Sequence, residues 1–225
     1  VNVVNDTRTC TPGFPKVEFV NAGISRTGTQ TIANAFETKG FTVYNQQTFI
    51  HHGHYTNNKI FTCEYDEEVE SMLQKVSSDQ IMVNDIPFNF CYKEIIEYSQ
   101  RWTHLPVLML TTRDPDKWLN SFALLVHAFA PAAGFPFTLV PGTRDIVEKT
   151  AASFKTHLNC SIMKWDDGIF VLDAYIRDKK ACKEGFLRYN EQVRQYASEH
   201  ELNFVEYDLD SIHTRTEMQS NKSVQ

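Results

Sequence analysis

Two hydrophobic periods take turns along this chain. Short runs of apolar, β-branched and aromatic residues alternate with longer stretches whose apolar positions recur at helical spacing. Val17, Phe19 and Val20 predict a buried first strand, and Thr29–Glu37 predicts a helix with Ile32, Ala33, Ala35 and Phe36 on one face. Gly40 stops that helix before a second strand, Phe41–Tyr44. Tyr65–Val76 reads as a helix with its acids at the N-terminal end. Gln80–Val83 is a third strand that runs into Asn84-Asp85-Ile86-Pro87, and Lys93–Arg101 is helical. Pro106–Thr112 is the most apolar strand; Arg113-Asp114-Pro115 follows, then a helix over Asp116–Phe129 whose start suits the fixed φ of proline. Further helices are expected over Thr143–Asn159, Ile169–Lys180 and Gly185–His200, and a last strand over Asn203–Leu209.

Strands alternating with helices imply an α/β fold: three layers, with a central, mostly parallel sheet and right-handed crossovers. Ligands in such folds sit beyond the carboxyl ends of the strands. That edge would gather the Gly23–Thr31 loop, Asp85 and Arg113. The chain reads as one domain over residues 1–225, with loose arms at 1–15 and 210–225 and a flap or loop over Pro131–Pro141.

Composition changes this picture little. With 225 residues, 42% hydrophobic and 22% charged, the chain has the balance of a globular protein. A net charge of −6 argues against a general basic surface for nucleic acid. No run has the apolar length of a membrane span, and the N-terminus as given has no signal peptide. The five cysteines, Cys10, Cys63, Cys91, Cys160 and Cys182, are odd in number and show no C-x-x-C spacing, so reduced thiols and a cytoplasmic location are expected. Glycosylation patterns at Asn5, Asn159 and Asn221 keep the secretory-pathway lumen open as the alternative, should an N-terminal anchor have been removed. His51, His52 and His54 lie in an irregular stretch, 45–62, without a helical His pair or a cysteine partner; a loop near a substrate entrance fits them better than a metal site.

The chemistry centres on Lys16–Thr31. A strand, a glycine-bracketed turn and a helix present backbone N–H groups and a helix N-terminus to an anion. The loop reads G-x-x-x-x-G-T-Q, so Thr29 stands where nucleotide hydrolases carry lysine, and Arg26 is the strongest loop cation. Ser25, Thr27, Thr29 and Thr31 add hydroxyls. An ordinary strand-to-helix turn with a hydroxyl cap fits the same residues. Eight positions separate Arg113 at a strand end from Ser121 on the following helix, a fork and a donor suited to a second phosphate. A surface pair of Arg113 with Asp114 or Asp116 fits equally.

Taken together, these segments resemble the P-loop sulfotransferases that use 3′-phosphoadenosine-5′-phosphosulfate (PAPS). The nearest resemblance is to the group with an R-T-G-T loop, then D-x-P, then R-D-P-x-x-W-x-x-S. Here those are Gly23–Ile32, Asp85-Ile86-Pro87 and Arg113–Ser121, and Tyr189–Arg194 is similar to that group's late Y-N-x-x-V-R helix. The similarity spans Val17–Ser121 well and Leu187–Leu209 moderately; the tail from Asp210 does not look like the family's closing segment. The resemblance implies that PAPS is the co-substrate and that no metal is needed. It implies that Ser25, Arg26, Thr27, Gly28, Thr29, Gln30 and Thr31 grip the 5′-phosphosulfate, and that Arg113 and Ser121 grip the 3′-phosphate. Arg26 would stabilise the charge that develops, and Asp85 would be the base for a hydroxyl or amine on a small-molecule or glycan acceptor. His51, His52, His54 and His127 are rivals for that base. Phe88, Phe90, Trp118, Phe129, Phe135 and Phe137 are aromatic candidates for an acceptor pocket, with only the Phe129–Phe137 loop expected to face it. A nucleotide kinase-like phosphotransferase and a non-catalytic binding protein are the competing readings.

Overall fold

The computed structural model describes residues 16–45, 58–64, 66, 68–69, 71, 80–99, 105–133, 143–161, 164–166, 169–171 and 178–211. The first strand, β1 (Lys16–Asn21), leads to α1 (Thr29–Thr38) and β2 (Thr42–Tyr44). A single turn, α2 (Asn58–Phe61), precedes β3 (Gln80–Val83), α3 (Tyr92–Ser99), β4 (Val107–Thr112) and α4 (Pro115–Ala133). Then come α5 (Thr143–Leu158), a hairpin of β5 (Lys164–Asp166) and β6 (Ile169–Val171), α6 (Lys179–Glu199) and β7 (Phe204–Asp208).

Five strands form one sheet in the order β2-β3-β1-β4-β7, and every pair is parallel. The α/β expectation therefore holds. The period-2 pattern sends alternate residues to opposite faces. Ile81, Val83, Leu108 and Leu110 join the larger core, with Ile95 and Ile96 of α3, Trp118 and Phe122 of α4, Phe154 of α5 and Phe186 and Val193 of α6. Met82, Met109 and Val43 face the other way, against Ala33, Ile32 and Phe36 of α1. Helices thus cover both faces. All five strands end on the same edge, and successive connections leave β1 in opposite directions, toward β3 and β2 on one side and β4 and β7 on the other. That reversal at the central strand is where this fold class leaves a crevice.

Several expectations are corrected. Ile169–Lys180 is not one helix: Ile169–Val171 pairs antiparallel with Lys164–Asp166, and α6 begins at Lys179. The sequence between the two strands is Asp167-Gly168, a strong hairpin signal, and the β-branched and aromatic run Ile-Phe-Val favours a strand. Helix α4 continues to Ala133, into the segment expected as a loop from Pro131. Four cysteines are not reduced thiols. Cys63 bonds Cys91 and Cys160 bonds Cys182, with Cα atoms 5.0 and 4.5 Å apart. Motif spacing failed here because the fold brings together cysteines 28 and 22 positions apart in sequence. Of the arm expected over 210–225 only Asp210 and Ser211 are described, and the Asp210 carboxylate is bound to the start of α4. Cys10, the arm over 1–15, His51, His52 and His54, Phe135 and Phe137, and most of the expected Tyr65–Val76 helix lie outside the described residues.

The two ends of the Cys160–Cys182 bond bracket a tight crossing. A Cβ on Gly185 of α6 would lie 1.7 Å from the Leu158 carbonyl oxygen at the end of α5. Backbone stands on both sides of that contact, so no side chain can yield. We expect Gly185→Ala to lower stability by about 2–3 kcal/mol, the cost of overpacking a close interface, with an earlier urea midpoint as the measurement.

Candidate functional site

β1 ends its buried run at Val20 and then delivers a polar residue, Asn21, to the buried sheet edge. Its amide finds a partner in Asn84 at the end of β3: Asn21 Nδ2 donates to Asn84 Oδ1 at 2.8 Å. Asn21 Oδ1 accepts the Gly23 N–H at 2.9 Å, and Asn84 Nδ2 donates to the Thr29 carbonyl at 3.0 Å. The loop is thereby anchored at both ends to neighbouring strands.

Gly23 is required by close approach. A Cβ there would sit 1.8 Å from Thr111 Oγ1 and 2.8 Å from the Thr111 backbone nitrogen on β4. Gly28 is required by conformation, with φ of +95° as it enters α1. Being glycine, it brings no side-chain cap, and the first turn of a helix has N–H groups that no helix carbonyl reaches. Thr29, Gln30 and Thr31 carry such N–H groups, the kind that can donate to an anion.

The hydroxyls divide by role. Thr27 Oγ1 lies 2.6 Å from the Ile24 carbonyl and 2.7 Å from Thr111 Oγ1, so it is committed to the loop's interior. Thr29 is buried and Thr31 exposed. Gln30 is exposed, and its amide donates to Asn34 one turn along α1 at 2.8 Å. Ser25 points to β3, where its hydroxyl donates to Asp85 Oδ1. Arg26 is exposed, and its Nε donates to Ser121 Oγ on α4 at 3.0 Å. Arg113 Nη1 donates to the Arg26 carbonyl at 3.4 Å. The loop, Asp85, Arg113 and Ser121 are thus brought together, by direct contact, at the ends of β1, β3 and β4.

The surface-pair alternative for Arg113 does not describe it. Asp114 Oδ1 accepts the Asp116 and Lys117 N–H groups at 3.0 and 2.9 Å, an N-cap to α4. Asp116 pairs with Lys183 at 2.8 Å. Arg113 instead faces Asp210, 4.0 Å away.

Asp85 sits in a left-handed turn, φ 65°, and its Oδ1 also accepts the Ile86 N–H at 2.9 Å. Burial pushes its carboxyl above the usual range; the Ser25 hydroxyl, the Ile86 N–H and the Arg26 charge pull the other way and do not cancel it. This carboxyl is a better proton acceptor than a solvated aspartate.

Several residues support the site through contacts that the sequence does not announce. Trp118, fully buried and stacked on Phe186 at 4.4 Å, donates its indole N–H to the Ser25 carbonyl at 3.1 Å. Tyr189 Oη lies 3.0 Å from the Ala22 carbonyl and 2.5 Å from that of Asn89. Asn21, Asn84 and Thr111 each carry a signal in hindsight, a polar residue closing an apolar run. Phe88, Phe90 and Trp118 are core rather than pocket wall. Among the described residues no group of His, Cys, Asp and Glu is arranged to hold a metal.

The sequence model of a family described as a sulfotransferase domain matches residues 18–211. Comparison with curated proteins gives no match. The matched span runs from β1 to the turn after β7 and takes in every site residue described above, and the chain belongs to the sulfotransferase-domain family.

Proposed function

We propose that this chain transfers the sulfuryl group of PAPS to a hydroxyl or amine of a small-molecule or glycan acceptor. One observation carries the reading: a glycine-bracketed loop whose Arg26 reaches Ser121, a partly buried carboxylate at Asp85, and Arg113 meet at one sheet edge. The residues fit the nucleotide. The loop supplies uncapped N–H groups for the 5′-phosphosulfate, and Arg113 Nε is buried without a hydrogen-bond partner among the described residues. An orphaned guanidinium donor suits a phosphate.

In this reading Asp85 accepts the acceptor's proton as the new bond to sulfur forms. The bond from sulfur to the bridging oxygen breaks in line with it, and negative charge passes to the 5′-phosphate. Arg26 and the N–H groups of the first turn of α1 meet that charge. Ser25 orients Asp85, and Ser121 holds the Arg26 side chain in place.

We infer an oxidising compartment, the secretory-pathway lumen that is the alternative to the cytoplasm; the two disulfides support this reading. The exposed Asn159, which begins a glycosylation pattern, is consistent with that setting. No helix among the described residues is long and apolar enough to cross a membrane.

The deciding experiment is calorimetric titration with 3′-phosphoadenosine-5′-phosphate, 5′-AMP and ATP with magnesium. The bisphosphate should bind best, and Arg113→Ala should weaken it by about ten- to a hundredfold, the worth of a charged hydrogen-bond pair. Preference for ATP with magnesium would favour a kinase-like enzyme instead. Arg26→Ala should retain fold and nucleotide binding but lose at least about a hundredfold in kcat, as when an oxyanion donor is removed.

The pH profile follows from Asp85. Its raised pKa means that the ionised base, and so kcat, falls as pH drops through a value above that of a free aspartate. Asp85→Asn should abolish turnover and keep nucleotide binding. Because the folded chain holds the Asp85 proton more tightly than the unfolded one, ionisation makes Asp85 a stability cost above the raised pKa. The Asn variant should therefore unfold at neutral pH no earlier than the parent, measured by thermal denaturation.

A further inference from the structure

One carboxylate outside the proposed chemistry sits where an anion belongs. After β7 the chain turns through Leu209 and Asp210 back over the site. Leu209 covers the anion loop closely enough that a Cβ on Gly28 would lie 3.1 Å from Leu209 Cδ1. Asp210 Oδ2 accepts the Asp114 N–H at 2.9 Å. Its Oδ1 accepts from Lys117 Nζ at 3.0 Å and lies 4.0 Å from Arg113 Nε. The α4 helix does not need this carboxylate as its cap, since Asp114 already accepts the Asp116 and Lys117 N–H groups. Arg113 Nε, buried, still lacks a hydrogen-bond partner among the described residues.

We propose that Asp210 is a built-in occupant of an anion subsite formed by Arg113, Lys117 and the Asp114 N–H, and that the nucleotide's 3′-phosphate enters by displacing it. The proposal rests on the nucleotide reading above and adds to it two residues, Lys117 as a further phosphate ligand and Asp210 as the competitor. Asp210 is ionised at neutral pH: burial pushes its carboxyl up, but the Asp114 N–H, Lys117 and Arg113 outweigh burial and hold it below the usual carboxylate range. A carboxylate brings one charge and two oxygens. A phosphate monoester brings nearly two charges and three terminal oxygens, enough to engage Arg113 Nε as well as the groups Asp210 holds. The exchange therefore rewards a dianion and excludes weaker anions, which makes Asp210 a specificity-determining residue. Leu209 moves with it, so displacement also uncovers Gly28.

The test is calorimetry on the full chain with 3′-phosphoadenosine-5′-phosphate and with 5′-AMP, which lacks the 3′-phosphate. Asp210→Asn should bind the bisphosphate about five- to tenfold more tightly, the scale of a partly exposed ion pair, and leave 5′-AMP unchanged. Lys117→Met should weaken the bisphosphate alone by a similar factor. Asp210→Ser, which removes the carboxylate and its shape, should repeat the gain. Unchanged or weaker bisphosphate binding in folded Asp210→Asn and Asp210→Ser overturns the exchange, and so does failure of both to fold, which would make Asp210 structural. If the parent chain does not distinguish the two nucleotides, the nucleotide reading itself falls and takes this one with it.

Discussion

The amide pair between Asn21 and Asn84 is the contact on which the site depends. Both residues are buried, and each side-chain oxygen and nitrogen has a partner in the other amide, Gly23 or Thr29. A buried polar group without a partner costs about 1–3 kcal/mol, so two adjacent amides in a sheet edge are tolerable only when fully satisfied. The geometry that satisfies them is demanding. It fixes the height at which the loop leaves β1, the height at which Asp85 leaves β3 and the point where α1 begins. The Asn84 N–H, donating to the Tyr44 carbonyl at 3.0 Å, extends the same alignment to β2.

That alignment carries strain at the two residues where chemistry is proposed. Arg26 and Asp85 both have positive φ, 77° and 65°, without being glycine. Such conformations cost on the order of 1 kcal/mol or more each and persist where the surroundings over-determine them. Here the surroundings are identifiable. Trp118 and Arg113 donate to the carbonyls of Ser25 and Arg26, and Asn89 N–H donates to the Asp85 carbonyl at 3.0 Å. Trp118 is itself clamped by Phe186 of α6. A helix far later in sequence thus supports the loop's backbone, and the late Y-N-x-x-V-R similarity acquires a physical meaning: Tyr189, 167 positions after Ala22, reaches the Ala22 and Asn89 carbonyls on either side of the same site.

Much of this was legible in the sequence because local signals and the tertiary outcome agree. β-branched runs became parallel strands, glycines became the loop's turn points, and residues at strand ends became neighbours because parallel strands share an edge. The hydroxyls were harder. Thr27 and Ser25 look equivalent in sequence, yet one is spent on Thr111 and the other on Asp85, a division set by which way a left-handed residue between them turns the chain. The disulfides and Asp210 were not legible for a common reason. Each depends on contacts made across the fold, 28, 22 and 96 positions apart, with no periodic pattern to announce them. The hairpin over 164–171 was missed for the opposite reason, a local Asp-Gly signal outvoted by a helical reading of the apolar residues after it.

Electrostatics resolves the apparent conflict between a chain of net charge −6 and the polyanionic ligand proposed for it. Net charge governs the far field, which salt screens within about 10 Å; a crevice is governed by what lines it. Here Arg26, Arg113 and Lys117 stand within two turns of a helix N-terminus and of the loop. Of the acids near them, Asp210 pairs with Lys117 and faces Arg113, and the others are committed elsewhere: Asp114 to the backbone of α4, Asp116 to Lys183, Asp85 to Ser25 and the Ile86 N–H. Asp85 is the instructive case. The Arg26 charge alone would hold it ionised and weakly basic, and burial reverses that balance. One sheet edge therefore holds a cation strong enough to attract negative oxygens beside a carboxyl still basic enough to take a proton, because desolvation acts on the half-enclosed acid and spares the exposed arginine.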